Sequence, residues 1–329
     1  MAEVLGLGEA MIRLTPPGAT RLEQTTTLDL DVGGAELNTL VGLSRLGVSA
    51  AWLTRLPDNP LGRLMAARAR SGGVDTSYVR WTDADRMGVY FLEQAAAPRD
   101  SQIVYDRRDS ATSRMSPADL DPAAFAGARL FHVSGITPAL SRSCLETTLA
   151  ALALAREAGC LVSFDPNYRA RLWSIEEARA TYARILPQVD ILFASHEALR
   201  TFWDVEADDE VEAARAAIDR YQLRAVALTR RDQAGAWSGT LGALAVADGQ
   251  VYPGRTYEVE VVDRLGAGDA FAAGFLYGYL RGNVEQGLAY AGALNALQHT
   301  IPGDFPLFTL AEVEELANAP AGDVPRLRR

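Results

Sequence analysis

Residues 263–279 read DRLGAGDAFAAGFLYGY, and the fold follows from how this stretch is parsed. It leaves an extended segment and opens an apolar helix. Two glycines, Gly266 and Gly268, let the backbone turn tightly at the joint. The first N–H groups of the helix then lack partners and point outward, an anion cradle at the positive end of the helix dipole. Asp269 falls in the first turn beside that cradle; an isolated aspartate there would serve as a helix cap. Phe271 stands where a dinucleotide-binding loop carries its third glycine, so the motif is not that fingerprint.

Upstream, the same strand-to-helix alternation repeats. Strands are predicted at 4–8, 50–54, 128–133, 161–165, 191–194 and 225–229, with helices at 61–71, 142–158, 175–186 and 210–221 between them. Two to three strands are expected between 234 and 262, and helices over 267–280, 284–299 and 310–318. Such βαβα repetition predicts an α/β fold, a doubly wound, mostly parallel sheet covered by helices on both faces. Segments within about 11–32 and 87–108 behave differently. They alternate, as in LDLDV at 28–32 and GVYFLE at 88–93, and predict a small β-sheet set apart from the main body. Residues 319–329, APAGDVPRLRR, read as a loose tail to a single domain spanning 1–329.

The chain has 329 residues, 48% hydrophobic and 22% charged, which suits one large globular domain or two ordinary ones. All 32 basic residues are arginine. Without lysine there is no Schiff-base chemistry, no pyridoxal phosphate anchor, no Walker A amine and no protein-kinase β3 lysine. The formal charge of −10 argues against a nucleic-acid partner. No apolar run reaches the roughly 18 residues of a membrane span, and the start MAEVLGLGEAMIRL lacks a secretory pattern, so a cytoplasmic protein with no membrane partner is expected. Cys144 and Cys160 read as buried thiols, and His132, His196 and His299, which show no metal spacing, read as structural.

A second glycine-bearing turn, Gly33-Gly34-Ala35-Glu36-Leu37-Asn38, precedes a segment of helical spacing at 39–46. Together with Asp58-Asn59-Pro60-Leu61-Gly62 and GEAMIRL after the first strand, these motifs resemble the ribokinase or PfkB family of sugar kinases over nearly the whole chain. The resemblance implies a ribokinase-like α/β domain with a small β-sheet lid, ATP as phosphoryl donor and Mg2+ with it. It implies Asp269 as general base, with Gly266, Ala267 and Gly268 forming the anion hole. Phosphoryl transfer needs mainly positioning and charge stabilisation, so it does not require a lysine. The family's Asn-x-x-Glu motif aligns with 194–197, where Glu197 matches as a metal-organising residue acting through water and Ala194 replaces the asparagine. Nucleotide contacts are implied for Ser195, for Thr229 and Gly235 in the loop TRRDQAG, for Gly268, and for Asn295 near the adenine. Arg231 stands where many members have glycine.

Within the family, GEAMIRLTPPG, the tyrosine of GVYFLE, YDRRDSA, HVSGIT and FDPNYRARLW are similar to 2-keto-3-deoxygluconate kinases. That implies a small sugar-acid substrate contacted by Gly34, Tyr90, Tyr105, Arg107, Ile136, Arg169 and Asp304. Arg107 and Arg169 are the discriminating pair, since a carboxylate calls for a charge-matched donor that a neutral sugar does not. Arg264, where many relatives carry a small residue beside a monovalent-cation loop, is expected to lend positive charge near the anion hole, or else to pair with Asp263 or a surface carboxylate. The competing readings are a fructokinase or ribokinase-like kinase of a neutral sugar, and a non-catalytic sugar-binding protein. A homo-oligomer formed through the lid is expected, because a small sheet exposes its edges.

Overall fold

Burial alternates residue by residue along the central strands. Ile191 and Phe193 enter one apolar layer and Leu192 and Ala194 the other; Ala225 and Ala227 are divided from Val226 and Leu228 in the same way. A strand buried on both faces needs apolar side chains throughout, which is why these segments read as short unbroken hydrophobic runs. The computed structural model describes residues 2–205, 207–232 and 238–320. Its large sheet runs in the order Gln250–Pro253, Ser238–Ala247, Ala225–Asp232, Ile191–Ala194, Leu161–Asp165, Leu130–Ser134, Val4–Leu7, Ala50–Pro57 and Val79–Thr82. Tyr257–Glu260 also pairs with Ser238–Ala247. From Ala225–Asp232 to Val79–Thr82 every neighbouring pair is parallel, and the last three strands of the chain pair antiparallel.

Helices cover both faces. Ala35–Arg45, Pro60–Ser71, Ala267–Tyr279 and Val284–Gln298 pack into one layer, while Arg142–Glu157, Ile175–Ile185, His196–Trp203 and Glu210–Tyr221 pack into the other. This is the α/β architecture predicted. The carboxyl ends of the parallel strands share one rim, where open α/β sheets bind their ligands.

The small sheet has the order Asp29–Gly33, Met11–Thr15, Val89–Glu93, Gln102–Asp106. Its register sorts side chains by face. Asp31, Arg13, Tyr90 and Tyr105 lie in one cross-strand row, and Leu30, Leu14, Phe91 and Val104 in the next, which projects to the opposite side.

Some elements differ from the sequence reading or sharpen it. The edge strand Val79–Thr82 was not anticipated, because Arg80 and Trp81 are exposed and leave no apolar pattern. The first helix begins at Ala35 rather than Thr39, with Gly34 as its extended N-cap. His196–Trp203 is a full helix whose N-cap Ser195 accepts from the Ala198 N–H. Cys144 and Cys160 are buried free thiols. His132 is buried against the Ser163 hydroxyl at 2.9 Å, as a structural histidine would be. Among the described residues no helix is long and apolar enough to cross a membrane.

Candidate active site

The DRLGAGD turn sits at the sheet's carboxyl rim. Gly266 adopts φ +78°, and a Cβ there would overlap the backbone oxygen of Asp304, so glycine is required both by conformation and by space. It is the N-cap of helix Ala267–Tyr279 and offers no capping side chain. The space beside Gly268 is open. The first-turn N–H groups, which have no intrahelical acceptors, therefore face a cavity. Two polar side chains on the following helix brace the turn: Asn295 Nδ2 donates to the Ala267 carbonyl at 2.9 Å, and Gln298 Nε2 to that of Leu265 at 3.3 Å.

Asp269, in the first turn, is 8% exposed, and its Oδ2 accepts from Asn38 Nδ2 at 2.7 Å. Burial pushes its carboxyl up to about 8, opposed by the Asn38 hydrogen bond and reinforced by the nearby Asp165 charge. Such a value suits proton exchange near neutrality better than a simple cap, which would be held ionised.

Two cavities of about 500 and 760 Å³ meet at this helix start and share Ser195, Glu197, Thr229, Gly268 and Phe271 in their walls. The smaller adds Asp165 and Asn167 from the end of the Leu161–Asp165 strand. The larger adds Arg231, Tyr257 and Asn295. Predicted nucleotide contacts Ser195, Thr229, Gly268 and Asn295 are thus brought together, while Gly235 lies outside the described residues. Asp165, which the sequence reading did not single out, is raised to about 6 by burial. Asp165 and Glu197 offer carboxylate oxygens on one cavity wall, a donor set that fits a hard divalent cation completed by water and phosphate oxygens.

On the other side of Asp269 lies the small sheet. Tyr90 Oη donates to Asp304 Oδ2 at 2.9 Å, Arg13 Nη1 donates to Asp304 Oδ1 at 2.7 Å, and Arg13 Nη2 pairs with Asp263. Arg13 is 3% exposed, a buried guanidinium between two carboxylates. Burial raises Asp304 to about 6 against the pull of Arg13. Tyr105 packs near Tyr90 with ring centroids 6.0 Å apart, and Arg107 lies over the Tyr105 ring. Arg107 also donates through Nε to Glu9 Oε2 at 2.8 Å and through Nη2 to the same oxygen, while Ser110 holds Glu9 Oε1. Its charge is already matched, although Nη1 is not engaged by Glu9. Arg169 is exposed, and its charge bears on both Asp165 and Asp269. Gly34 abuts the Glu9–Ala10 backbone so closely that a Cβ would overlap it. Ile136, half-exposed, follows the strand Leu130–Ser134, its N–H donating to Ser134 Oγ at 3.2 Å.

Of the alternatives for Arg264, a side-chain pair with Asp263 is not made. The Asp263 carboxylate is taken by Arg13 and by the backbone N–H groups of Arg264, Leu265 and Gly303. Arg264 instead lies where its charge bears on Arg231 and His299. Arg13, Glu9, Asn38 and Asp165 were all missed as site residues. The available signal was polarity out of place: charged or amide side chains in GEAMIRL, GGAELN and LVSFD, where the surrounding pattern is buried.

A model of the pfkB family carbohydrate kinases matches residues 1–303. The 2-dehydro-3-deoxygalactonokinase of Haloferax volcanii is 42% identical over 316 residues, spanning 96% of either chain. The crystal structure of 2-dehydro-3-deoxygluconokinase from Thermotoga maritima superposes with a TM-score of 0.93 at 38% identity, over 96% of this chain and 98% of that one. A PfkB family carbohydrate kinase from Listeria grayi gives 0.92 at 33% identity, over 96% and 99%.

Proposed function

The chain belongs to the pfkB family of carbohydrate kinases, and from that premise we propose that it transfers the γ-phosphoryl group of ATP to the terminal hydroxyl of 2-keto-3-deoxygluconate, giving 2-keto-3-deoxy-6-phosphogluconate. The observation that carries this reading is the buried Asp269 carboxyl, raised to about 8, beside an open helix N-terminus at the junction of two cavities.

The sugar hydroxyl oxygen bonds to the γ-phosphorus while the bond to the bridging oxygen of ADP breaks, and the hydroxyl proton passes to Asp269. Backbone N–H groups of the Gly266-Ala267-Gly268 turn face the charge on the transferring phosphoryl oxygens, where fixed dipoles act without reorganising. ATP occupies the 760 Å³ cavity, with Ser195, Thr229 and Asn295 in its walls. Asp165, and Glu197 through water, would hold a Mg2+ ion, which would supply positive charge to the phosphates. The sugar lies under the lid against Gly34, Tyr90, Tyr105, Ile136 and Asp304. Arg169 and the Nη1 of Arg107 meet its carboxylate, a pairing that a neutral sugar leaves unused.

The whole chain acts as one catalytic unit and pairs with a second copy through the outer lid face. In that row Leu30 and Val104 are 42% and 49% exposed, flanking the half-buried Leu14 and Phe91. A contiguous apolar strip on a small sheet fits burial against its own copy.

A second reading is favoured by one finding. The Haloferax relative carries the galactonate name at 42% identity, so the epimeric 2-keto-3-deoxygalactonate is the alternative substrate. Coupled ADP release with both epimers, fructose and ribose tests the proposal. Turnover of either keto acid at least tenfold above the neutral sugars in kcat/KM supports it, and preference for fructose or ribose overturns it.

A further inference from the structure

The 760 Å³ cavity is lined by three arginines, and two of them are already committed. Arg230 pairs with Glu210. Arg255 donates to the carbonyls of Ala319 and Pro320 and stacks over the Tyr257 ring. Arg231 alternates with Arg230 along the strand Ala225–Asp232 and so projects to the opposite face. Among the described residues it meets no carboxylate. Its hydrogen-bond partner there is the imidazole of His299, Nη2 to Nε2 at 3.1 Å.

That imidazole is held in one form. His299 is 1% exposed, and its Nδ1 lies 2.8 Å from the Asn295 carbonyl, which can only accept. The proton therefore sits on Nδ1, leaving the Nε2 lone pair to receive the guanidinium N–H. Burial and the charges of Arg231 and Arg264 hold the ring below its usual titration range, so it stays neutral and an acceptor. The backbone carbonyl of His299 also accepts from Val262 at 2.7 Å and Asp263 at 3.3 Å, the residues that lead into the GAGD turn. One residue thus fixes both the approach to the turn and the side chain opposite it.

We propose that Arg231 is a ligand of the nucleotide's phosphates and that His299 is the positioning residue that aims it. The cavity shared by Arg231 and Gly268 places a fixed cation across from the positive end of a helix, with the Arg264 charge nearby. Like charges gathered in this way repel one another until a polyanion enters. A planar guanidinium donates two parallel N–H bonds to phosphate, and in a chain without lysine it is the side chain that can do so. This inference rests on the kinase reading above.

The test is direct calorimetric binding of ATP, ADP, AMP and adenosine to the full-length protein and to Arg231→Gln. The variant is expected to bind ATP and ADP about 10- to 150-fold more weakly and adenosine unchanged. Arg231→Lys, which keeps the charge without the fork, should recover part of the loss. His299→Leu should weaken ATP binding in the wild-type background and do little more in the Arg231→Gln background, because a positioning residue acts only through the group it positions. Wild-type protein that binds ATP no better than adenosine would count against the kinase reading itself. Wild-type protein that binds ATP well, with Arg231→Gln within about twofold of it or equally impaired toward adenosine, overturns the Arg231 assignment alone. Should Arg231→Gln fail to melt cooperatively, Arg231→Lys carries the comparison, and unchanged ATP affinity in it overturns the assignment.

Discussion

Asp269→Asn should damage turnover and improve stability, and the second effect has a calculable pH signature. In the folded protein burial holds the carboxyl at about 8; in the unfolded chain it titrates near about 3.9. Between those values the folded state keeps a proton that the unfolded state has released. The contribution of this group to stability is therefore complete below about pH 4 and falls by about 1.4 kcal/mol per pH unit until about pH 8. Asparagine is isosteric, still accepts from Asn38 through its amide oxygen, and does not titrate. From pH 5 to pH 8 the variant should gain about 4 kcal/mol relative to wild type. Asp165 and Asp304, both near 6, are present in both proteins and titrate largely while Asp269 is uncharged, so their effects cancel in the difference. Urea unfolding of both proteins at four pH values measures it. Stability curves that stay parallel within about 1 kcal/mol would refute the raised carboxyl. In parallel, turnover should fall about 10²- to 10⁴-fold with ATP affinity little changed, and the kcat/KM of the wild type for sugar should rise with pH through an acid limb near about 8. A variant retaining more than roughly a tenth of wild-type turnover would remove Asp269 from the role of base.

Arg107→Ala and Arg169→Ala should each raise KM for the keto acid about 10- to 150-fold and leave KM for ATP nearly unchanged; two variants with wild-type sugar KM would dismiss the carboxylate pairing. Leu30→Glu combined with Val104→Glu should convert a dimer to a monomer by light scattering, and an unaltered mass would exclude the outer lid face as the contact. Because Arg13 already neutralises Asp263, exchanging potassium for a bulky organic cation at constant ionic strength should leave the rate within about twofold, whereas strong potassium activation would contradict a built-in countercharge.

The fold was legible because its signals are local. Alternating burial on two layers makes segments such as ILFA and AVAL unbroken apolar runs, and a glycine-bearing turn marks the starts of Ala35–Arg45 and Ala267–Tyr279. The site was legible only where it is contiguous. DRLGAGD announces a cradle by itself, and Ser195, Thr229 and Asn295 were reached through resemblance. Arg13 gave no such signal, since its partners Asp263 and Asp304 are 250 and 291 positions away. Periodicity cannot report a pairing across that separation. It can report the mismatch: an arginine within MIRLT whose neighbours Met11 and Ile12 are buried must either be exposed or find buried acid. Glu9 follows the same logic with Arg107 and Ser110. Arg264 shows the converse limit: of the roles its sequence position left open, a side-chain pair with the adjacent Asp263 is not made, and the Asp263 carboxylate accepts from the Arg264 backbone N–H instead.

The small sheet joins the two halves of the argument. Its pleat sends Arg13, Tyr90 and Tyr105 to one face, where Arg13 and Tyr90 donate to Asp304, and Leu30, Leu14, Phe91 and Val104 to the other. A slip of one residue in any strand would exchange the rows, burying apolar side chains over a charged site and leaving a guanidinium in the apolar strip. The pairing of Arg13 with Asp263 and Asp304 fixes the register from within, since no other position of Met11–Thr15 carries a positive charge to meet them. Covering the outer row with a second copy would fix it from without. If the proposed sites are right, the same sheet cannot be tuned for substrate on one face without constraint from the other, and a substitution in the outer row that frees the lid should be felt first in sugar binding, because the proposed sugar contacts Tyr90 and Tyr105 stand on the strands it would loosen, while the proposed nucleotide cavity is built on the large sheet and its helices.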